Sequence, residues 1–130
     1  MDDDGRADLF LMEAFDPNFY QYQPARERFV LFAGRDGISF RNTGIDLNRN
    51  FLTQGSVLFD YNQDGSLDLL LGNDLDFDLL YRGNGAGRFD FIQAGVPVLE
   101  RGPYGMAAAD YDRDGDSDIY IGLCLGITEN

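Results

Sequence analysis

The sequence contains no histidine, lysine or tryptophan, and its one cysteine is Cys124. Without histidine, the chain lacks the commonest general base and a frequent transition-metal ligand. A single cysteine cannot form a disulfide within the chain, and we expect Cys124 to be a buried strand residue. No apolar run reaches the ~18 residues of a membrane helix, so we expect no membrane insertion.

The charges of the chain are strongly unbalanced. Asp and Glu number 23 against 10 Arg, and the net charge is -13. A surface this negative disfavours nucleic acid and anionic lipid as partners, because both carry negative phosphates. Of the 23 acids, 19 are Asp. Because Asp favours turns and supplies oxygen ligands to hard cations, this excess indicates tight metal-binding loops.

The chain contains an internal repeat. Residues 55–72 read GSVLFDYNQDGSLDLLLG, and residues 105–122 repeat that pattern as GMAAADYDRDGDSDIYIG. The opening MDDDGRADLFL matches the end of the same pattern, with Gly5 aligned to Gly65 and Asp8 to Asp68. The two full copies start 50 residues apart, a repeat length that is typical of stacked architectures such as propellers.

Apolar runs between glycine-rich turns predict strands, and no useful stretch has helical periodicity. The predicted strands lie near residues 8–13, 29–33, 38–41, 55–60, 67–72, 78–82, 88–93, 105–110 and 117–122. The second strand of each full copy is apolar on both faces, as expected where sheets stack face to face. The turns at 34–37 and 83–87 are rich in glycine, and we expect them to need positive φ angles.

Four antiparallel strands in about 50 residues make up one β-propeller blade. We therefore predict an all-β fold of antiparallel four-stranded blades, a partial propeller of about two and a half blades. Residues 1–54 would form a partial blade with a truncated acidic loop, 55–104 a complete blade, and 105–130 the start of another. A β-sandwich or an open β-solenoid is the alternative.

The predicted size is too small for a closed ring, since a propeller needs at least about four blades. We expect the chain to be a single fragment of a longer propeller. Alternatively, it associates with copies of itself through its open blade edges, because unpaired strand edges invite pairing.

Each full copy contains a nine-residue acidic loop, DYNQDGSLD at 60–68 and DYDRDGDSD at 110–118. Oxygen side chains occupy positions 1, 3, 5 and 9, and glycine occupies position 6. Ca²⁺ takes about six to eight oxygen ligands in a flexible shell, and glycine permits the sharp reversal with positive φ. The carbonyl oxygen at position 7 can add a ligand, so at Asp116 we expect the backbone oxygen to bind.

Other ions and other calcium loops fit less well. Mg²⁺ prefers a smaller octahedral shell, and zinc and copper prefer nitrogen or sulfur ligands. An EF-hand needs Glu at position 12 and flanking helices, but position 12 is Leu71 or Ile121, each inside an apolar run. The alternative of a solvated acidic turn is disfavoured because the carboxylates would repel one another without a cation.

The pattern D-x-[DN]-x-D-G-x-x-D between two strands, followed by L-Y-R and N-G, resembles the FG-GAP/VCBS repeat, which also occurs in the β-propeller of integrin α-subunits. Residues 79–89, 94–96 and 107–122 look most similar to the cartilage acidic protein and ASPIC/UnbV-type branch. The resemblance covers almost the whole chain. It implies a seven-bladed propeller in secreted or cell-surface proteins, used for adhesion or ligand binding.

The resemblance also implies two full Ca²⁺ sites and a third, partial one. The ligands carried over by position are Asp60, Asn62, Asp64, Ser66 and Asp68; Asp110, Asp112, Asp114, Asp116 and Asp118; and Asp2, Asp4, Arg6 (by its carbonyl) and Asp8.

We expect a non-enzymatic calcium-binding module whose partner is a protein, matrix or glycan ligand. We expect an extracellular or cell-surface location (periplasmic if bacterial), with the export signal outside this chain, because its acidic N-terminus is unlike a signal peptide.

A carbohydrate-binding propeller, or a propeller attached to an enzyme, is the alternative. Glycan binding could use the insert at 16–28, which contains Phe19, Tyr20, Tyr22 and Arg26; an ordinary surface loop is the other interpretation.

Overall fold

The computed structural model describes residues 5–13, 28–34, 40–42, 52–74, 78–92 and 103–123. The elements are β1 (Leu9–Glu13), β2 (Arg28–Gly34), β3 (Phe40–Asn42), β4 (Leu52–Phe59), β5 (Asp68–Asp74), β6 (Leu79–Gly83), β7 (Phe89–Ile92), β8 (Pro103–Ala109) and β9 (Asp118–Leu123). The described residues contain no helix that is long and apolar enough to cross a membrane.

The prediction of an all-β fold is confirmed, because each predicted strand overlaps one of these strands. The strand ends differ by a few residues. The first strand of the central sheet starts at Leu52 rather than Gly55, because Thr53 still pairs with Asn73 beyond an irregularity between Thr53 and Gly55. Part of the predicted strand at 38–41 lies outside the described residues.

The strands form three antiparallel sheets, ordered β1-β2-β3, β4-β5-β6-β7 and β8-β9. Each neighbour in a sheet is the next strand along the chain, so every sheet is an up-and-down meander. None of the three closes into a barrel within the described residues. One four-stranded sheet between a three-stranded and a two-stranded one agrees with the predicted partial β-propeller blades.

The central sheet β4–β7 is covered on both faces by its neighbours. One face carries a buried cluster of Leu69, Leu71, Leu79 and Tyr81, packed against Phe10, Leu58 and Phe89. The other face carries Phe59, Leu70 and Leu80, packed against Val57, Met106 and Ala108. Because Phe10 belongs to β1 and Met106 and Ala108 belong to β8, the three sheets stack face to face.

The expected burial of both faces holds for β5 and is wrong for β9. Leu69, Leu70 and Leu71 are at most 1% exposed, whereas Ile119 is 39% and Tyr120 74% exposed. Tyr120 occupies the place that Leu70 has in the central sheet. Leu70 faces β8, but no described strand lies against Tyr120, so its ring remains in solvent. Leu67, predicted to lie in the strand, precedes it and is exposed.

The buried polar group Asp78 lies at the start of β6. It is 5% exposed, and its Oδ1 accepts the backbone N–H of Asn73 at 3.0 Å. Asn73 in turn accepts the hydroxyl of Thr53 at 2.7 Å. Burial raises the pKa of the Asp78 carboxyl, and the Asn73 N–H opposes that effect less strongly. Folding therefore makes this carboxyl harder to ionise than it is in the unfolded chain.

Leu70→Ala should lower the free energy of unfolding by about 2–5 kcal/mol, because it leaves a cavity between two sheets. Tyr120→Ala, at the equivalent position of the last sheet, should change it by less than about 0.5 kcal/mol, since that ring lies in solvent. Denaturant titration measures both values. If both substitutions lowered the free energy of unfolding equally, the stacking of the sheets would not be what stabilises the core.

Asp78→Asn should raise the thermal unfolding midpoint relative to the unaltered chain at pH 7, and by less at pH 3. When folding raises the pKa of a carboxyl, the free energy of unfolding falls as the pH rises from the unfolded pKa of about 3.9 through the folded pKa. Asparagine cannot ionise and keeps the oxygen that accepts from Asn73. Asp90→Asn, on an exposed strand position, is the control. A gain that is larger at pH 3 than at pH 7 would contradict the assignment.

Candidate metal centre

The two acidic loops connect the first two strands of their sheets and have the same backbone shape. The 60–68 loop joins β4 to β5, and the 110–118 loop joins β8 to β9. Glycine at position 6 has positive φ in both, 86° at Gly65 and 98° at Gly115, as predicted. Gly5, its counterpart in the truncated copy, has φ 79°. The alignment of all three copies therefore agrees with their backbone geometry.

Position 4 of each loop also has positive φ, which the sequence did not predict. Gln63 has φ 57° and Arg113 has φ 65°. Residues other than glycine rarely adopt this conformation, and Asn and Asp are the usual exceptions. Neither Gln nor Arg signals it, so the loop as a whole imposes it.

In the 60–68 loop, side-chain oxygens at alternate positions accept backbone N–H groups of the loop itself. Asp60 Oδ2 accepts from Gly65 at 2.8 Å. Asn62 Oδ1 accepts from Asp64 at 3.0 Å, and Asp64 Oδ1 accepts from Ser66 at 2.9 Å. The side chains at positions 1, 3 and 5 therefore each hold part of the loop backbone.

The 110–118 loop repeats these three bonds. Asp110 Oδ2 accepts from Gly115 at 3.2 Å. Asp112 Oδ1 accepts from Asp114 at 3.1 Å, and Asp114 Oδ1 accepts from Asp116 at 2.9 Å. Two sequences that differ at several positions therefore fold into one arrangement.

Three exposed carboxylates of the 110–118 loop converge. One oxygen from each of Asp110, Asp112 and Asp118 lies within 4.8 Å of the others. Asp114 and Asp116 do not belong to this group. Oxygen atoms at this spacing suit a hard cation with several oxygen ligands, and the loop offers it no nitrogen or sulfur donor.

The aspartate at position 9 connects its loop to the rest of the blade by hydrogen bonds. Asp68 is 0% exposed. Its Oδ2 accepts the N–H of Tyr61 at 3.0 Å, and its Oδ1 accepts the N–H of Gly83, at the end of β6, at 2.8 Å. In the last copy, Asp118 Oδ2 likewise accepts from Tyr111 at 2.8 Å.

The truncated first copy has the same link to its neighbouring strand. Asp8 Oδ1 accepts the N–H of Gly34, the last residue of β2, at 3.0 Å. Arg6 is exposed, and Asp2 and Asp4 lie outside the described residues. Asp8, the last predicted ligand of this copy, therefore makes the same link to a neighbouring strand as Asp68, and the predictions for Asp2 and Asp4 stay untested.

Sequence reasoning missed the role of Gly34 and Gly83. A Cβ atom on Gly83 would overlap the carbonyl oxygen of Leu67, and one on Gly34 would overlap that of Ala7. The positive φ angles predicted for the 83–87 turn occur at Gly85, 68°, and Gly87, 74°, whereas residues 35–37 of the other turn lie outside the described residues. Gly83 is thus needed for a close approach between strand and loop. The available signal was that both glycines end the third strand of their copies.

Hydrogen bonds from neighbouring residues stabilise the charged form of Asp64. The pKa of its carboxyl lies below the ordinary value, first because the Ser66 N–H donates to it and then because the Asn62 amide does. The Asn62 Nδ2 donates to Asp64 Oδ2 at 2.9 Å. The group therefore remains an anion, the form that binds a cation.

Several other predicted residues fall outside the described part of the chain. They are Phe19, Tyr20, Tyr22 and Arg26 of the insert, and Cys124. Their predicted roles stay predictions.

Comparison with known families identifies the repeat. Residues 60–121 match the model of the FG-GAP-like repeat. The match starts at the first residue of the 60–68 loop and extends through the whole 110–118 loop. It does not distinguish the ASPIC/UnbV-type branch from others. No curated protein and no solved structure matches the chain.

Gly83→Ala should destabilise the fold by about 1–3 kcal/mol, because the added methyl group pushes the strand away from the Leu67 carbonyl. Gly105→Ala is the matched control: Gly105 is a strand glycine with open space around the Cβ position, and it should change stability by less than about 0.5 kcal/mol. Chemical denaturation compares the two. Similar costs at both sites would rule out the close approach.

Proposed function

We propose that this chain, an FG-GAP repeat protein by its match over residues 60–121, is a calcium-binding module in which the ion braces the blades. The observation that carries the proposal is the convergence of Asp110, Asp112 and Asp118 within 4.8 Å. Calcium–oxygen distances are about 2.3–2.6 Å, so one ion can touch oxygens up to about 4.6–5.2 Å apart.

The ligand set is proposed from the positions that the two loops share. In the 110–118 loop, the side chains of Asp110, Asp112, Asp114 and Asp118 and the carbonyl of Asp116 would hold the ion. The corresponding groups of the 60–68 loop are Asp60, Asn62, Asp64 and Asp68, with the Ser66 carbonyl. The truncated first copy would bind more weakly, with Asp2, Asp4, Asp8 and the Arg6 carbonyl.

Calcium suits these loops better than other ions. All side-chain donors are oxygens, which hard cations prefer over the nitrogen and sulfur favoured by zinc or copper. Calcium also tolerates the irregular shell of a short loop, whereas magnesium demands a near-octahedral one. When bound, the ion supplies positive charge that relieves the repulsion among the carboxylates.

The bound ion would hold together the two strands that each loop connects. Asp60 follows the last residue of β4, and Asp68 is the first residue of β5. An ion between these carboxylates would bridge the two strands at the end where the loop connects them. Because Asp68 also accepts from Gly83, the constraint extends to the third strand of the blade.

The wider role that we propose is binding rather than catalysis, in a secreted or cell-surface protein, with a protein, matrix or glycan partner. Self-association through the open blade edges belongs to this proposal, because β9 pairs only with β8 in the described residues and its side chains Ile119, Tyr120 and Leu123 are exposed. Sedimentation of the chain at rising concentration tests it: a shift to a dimer that Tyr120→Asp abolishes supports pairing through this edge, because a charge on an edge strand disfavours pairing.

Calcium should raise the thermal unfolding midpoint, and a chelator should lower it. At free calcium about tenfold above Kd, each site adds roughly 1.4 kcal/mol; for extracellular modules, Kd is about 10⁻⁴–10⁻³ M. Asp64→Ala and Asp114→Ala should each remove much of the calcium-dependent shift. Asp90→Ala removes the same charge from an exposed strand position and should retain it.

A calcium-independent midpoint in a folded sample would overturn the proposal. If Asp90→Ala reduced the calcium-dependent shift as much as Asp64→Ala does, calcium would act by general charge screening and not by binding at a site. If a turnover activity were found and Asp64→Ala abolished it without changing stability, the enzymatic alternative would replace the structural role.

A further inference from the structure

We propose that Gln63 is a positioning residue that couples the two calcium loops, so that an ion in the 60–68 loop increases the calcium affinity of the 110–118 loop. This inference rests on the proposed function. It goes beyond it because it concerns communication between the two sites, which neither loop sequence indicates by itself.

The two loops lie beside each other and are joined by one side chain. Met106 and Ala108 of β8 pack against the central sheet, and the loops that follow β4 and β8 are in hydrogen-bond contact. The Gln63 Nε2 donates to the carbonyl oxygen of Gly115 at 3.2 Å. It also donates to the carboxylate of Asp116.

The peptide that Gln63 touches is part of the neighbouring site. Gly115 and Asp116 share one peptide unit, and the N–H of that unit donates to Asp114 Oδ1 at 2.9 Å. Gln63 holds the carbonyl side and Asp114 the N–H side. The next carbonyl along the chain, that of Asp116, is the one proposed to bind calcium. Gln63 therefore restrains the orientation of the backbone immediately before a proposed ligand.

The state of the 60–68 loop controls where Gln63 can reach. Gln63 lies between Asn62 and Asp64 and has a positive φ of 57°, a conformation that costs free energy for this residue type. An ion bound by the flanking side chains would hold that conformation. The ordering that one ion provides then lowers the cost of ordering the second loop, which is positive coupling.

The equivalent residue of the second loop makes no such link. Arg113 also has positive φ, yet no hydrogen bond from its side chain is present in the part of the chain that the structure describes. The coupling thus depends on the residue at position 4 of the earlier loop. Arg113 provides a natural control for a substitution at that position.

Site-resolved calcium titration of the full chain by NMR tests the proposal. The Gly65 N–H donates to Asp60 and the Gly115 N–H donates to Asp110, so each amide resonance reports on its own loop. The calcium concentration at which the Gly115 amide resonance has shifted halfway, called the Gly115 midpoint, is measured with and without Asp60→Asn. This substitution weakens calcium binding in the 60–68 loop. In the unaltered background, Asp60→Asn should raise the Gly115 midpoint about fivefold or more, the usual range for coupled sites.

Two variants remove the link. Gln63→Met has nearly the same shape but no donor, and Gln63→Asn keeps an amide that is too short to reach and tolerates positive φ well. In either background, Asp60→Asn should leave the Gly115 midpoint nearly unchanged. Arg113→Lys should keep the fivefold effect. The loss of one charge at Asp60 is common to all backgrounds and cancels in the comparison.

The outcomes separate the two levels of the proposal. If Asp60→Asn shifts Gly115 by the same factor with and without the Gln63 amide, the coupling through Gln63 is wrong although both loops bind calcium. The same conclusion follows if Arg113→Lys abolishes the shift as well. If the Gly65 and Gly115 resonances do not respond to calcium at all in the unaltered chain, the proposed function itself fails, and the coupling with it.

Discussion

The central blade depends on the hydrogen bonds that the buried carboxylate of Asp68 accepts. An ionised group fully removed from water is costly unless hydrogen bonds replace its hydration. Here two backbone N–H groups do so, Tyr61 at 3.0 Å and Gly83 at 2.8 Å. One side chain thereby closes the acidic loop, starts β5 and binds the end of β6. The Asp8–Gly34 bond repeats this link in the first sheet, so the link belongs to the repeat.

The sequence was sufficient to predict the strands and the loop glycines. Strands are identifiable because apolar runs alternate with glycine-rich turns, and Gly65 and Gly115 because a tight reversal needs positive φ. The repeated position of Gly83 is visible in the sequence, but its physical reason is not, because the Leu67 carbonyl comes near only in the folded sheet. The Gln63 link was invisible for the same reason: it joins residues in different blades. The exposure of Tyr120 depends on whether another layer covers it, which a strand pattern cannot show.

The negative charge of the chain is concentrated in the loops. Twelve of the 19 Asp residues lie in the loops of the three copies, and in the two described loops all but Asp116 accept a backbone N–H of their own loop. Those donors offset part of the repulsion, and in the proposed function calcium offsets more. Two bound ions would change the net charge from -13 to -9, since each adds two positive charges. The acidity then reflects cation sites more than the choice of a macromolecular partner.

The most direct test of calcium binding is its stoichiometry, measured by calorimetric titration of the full chain. Two equivalents of Ca²⁺ per chain in the extracellular affinity range of about 10⁻⁴–10⁻³ M are predicted, with a weaker third if the truncated copy also binds. Magnesium should compete poorly, because it does not accept the irregular oxygen shell. An absence of saturable calcium binding in a folded sample would contradict the proposal that these loops are metal sites.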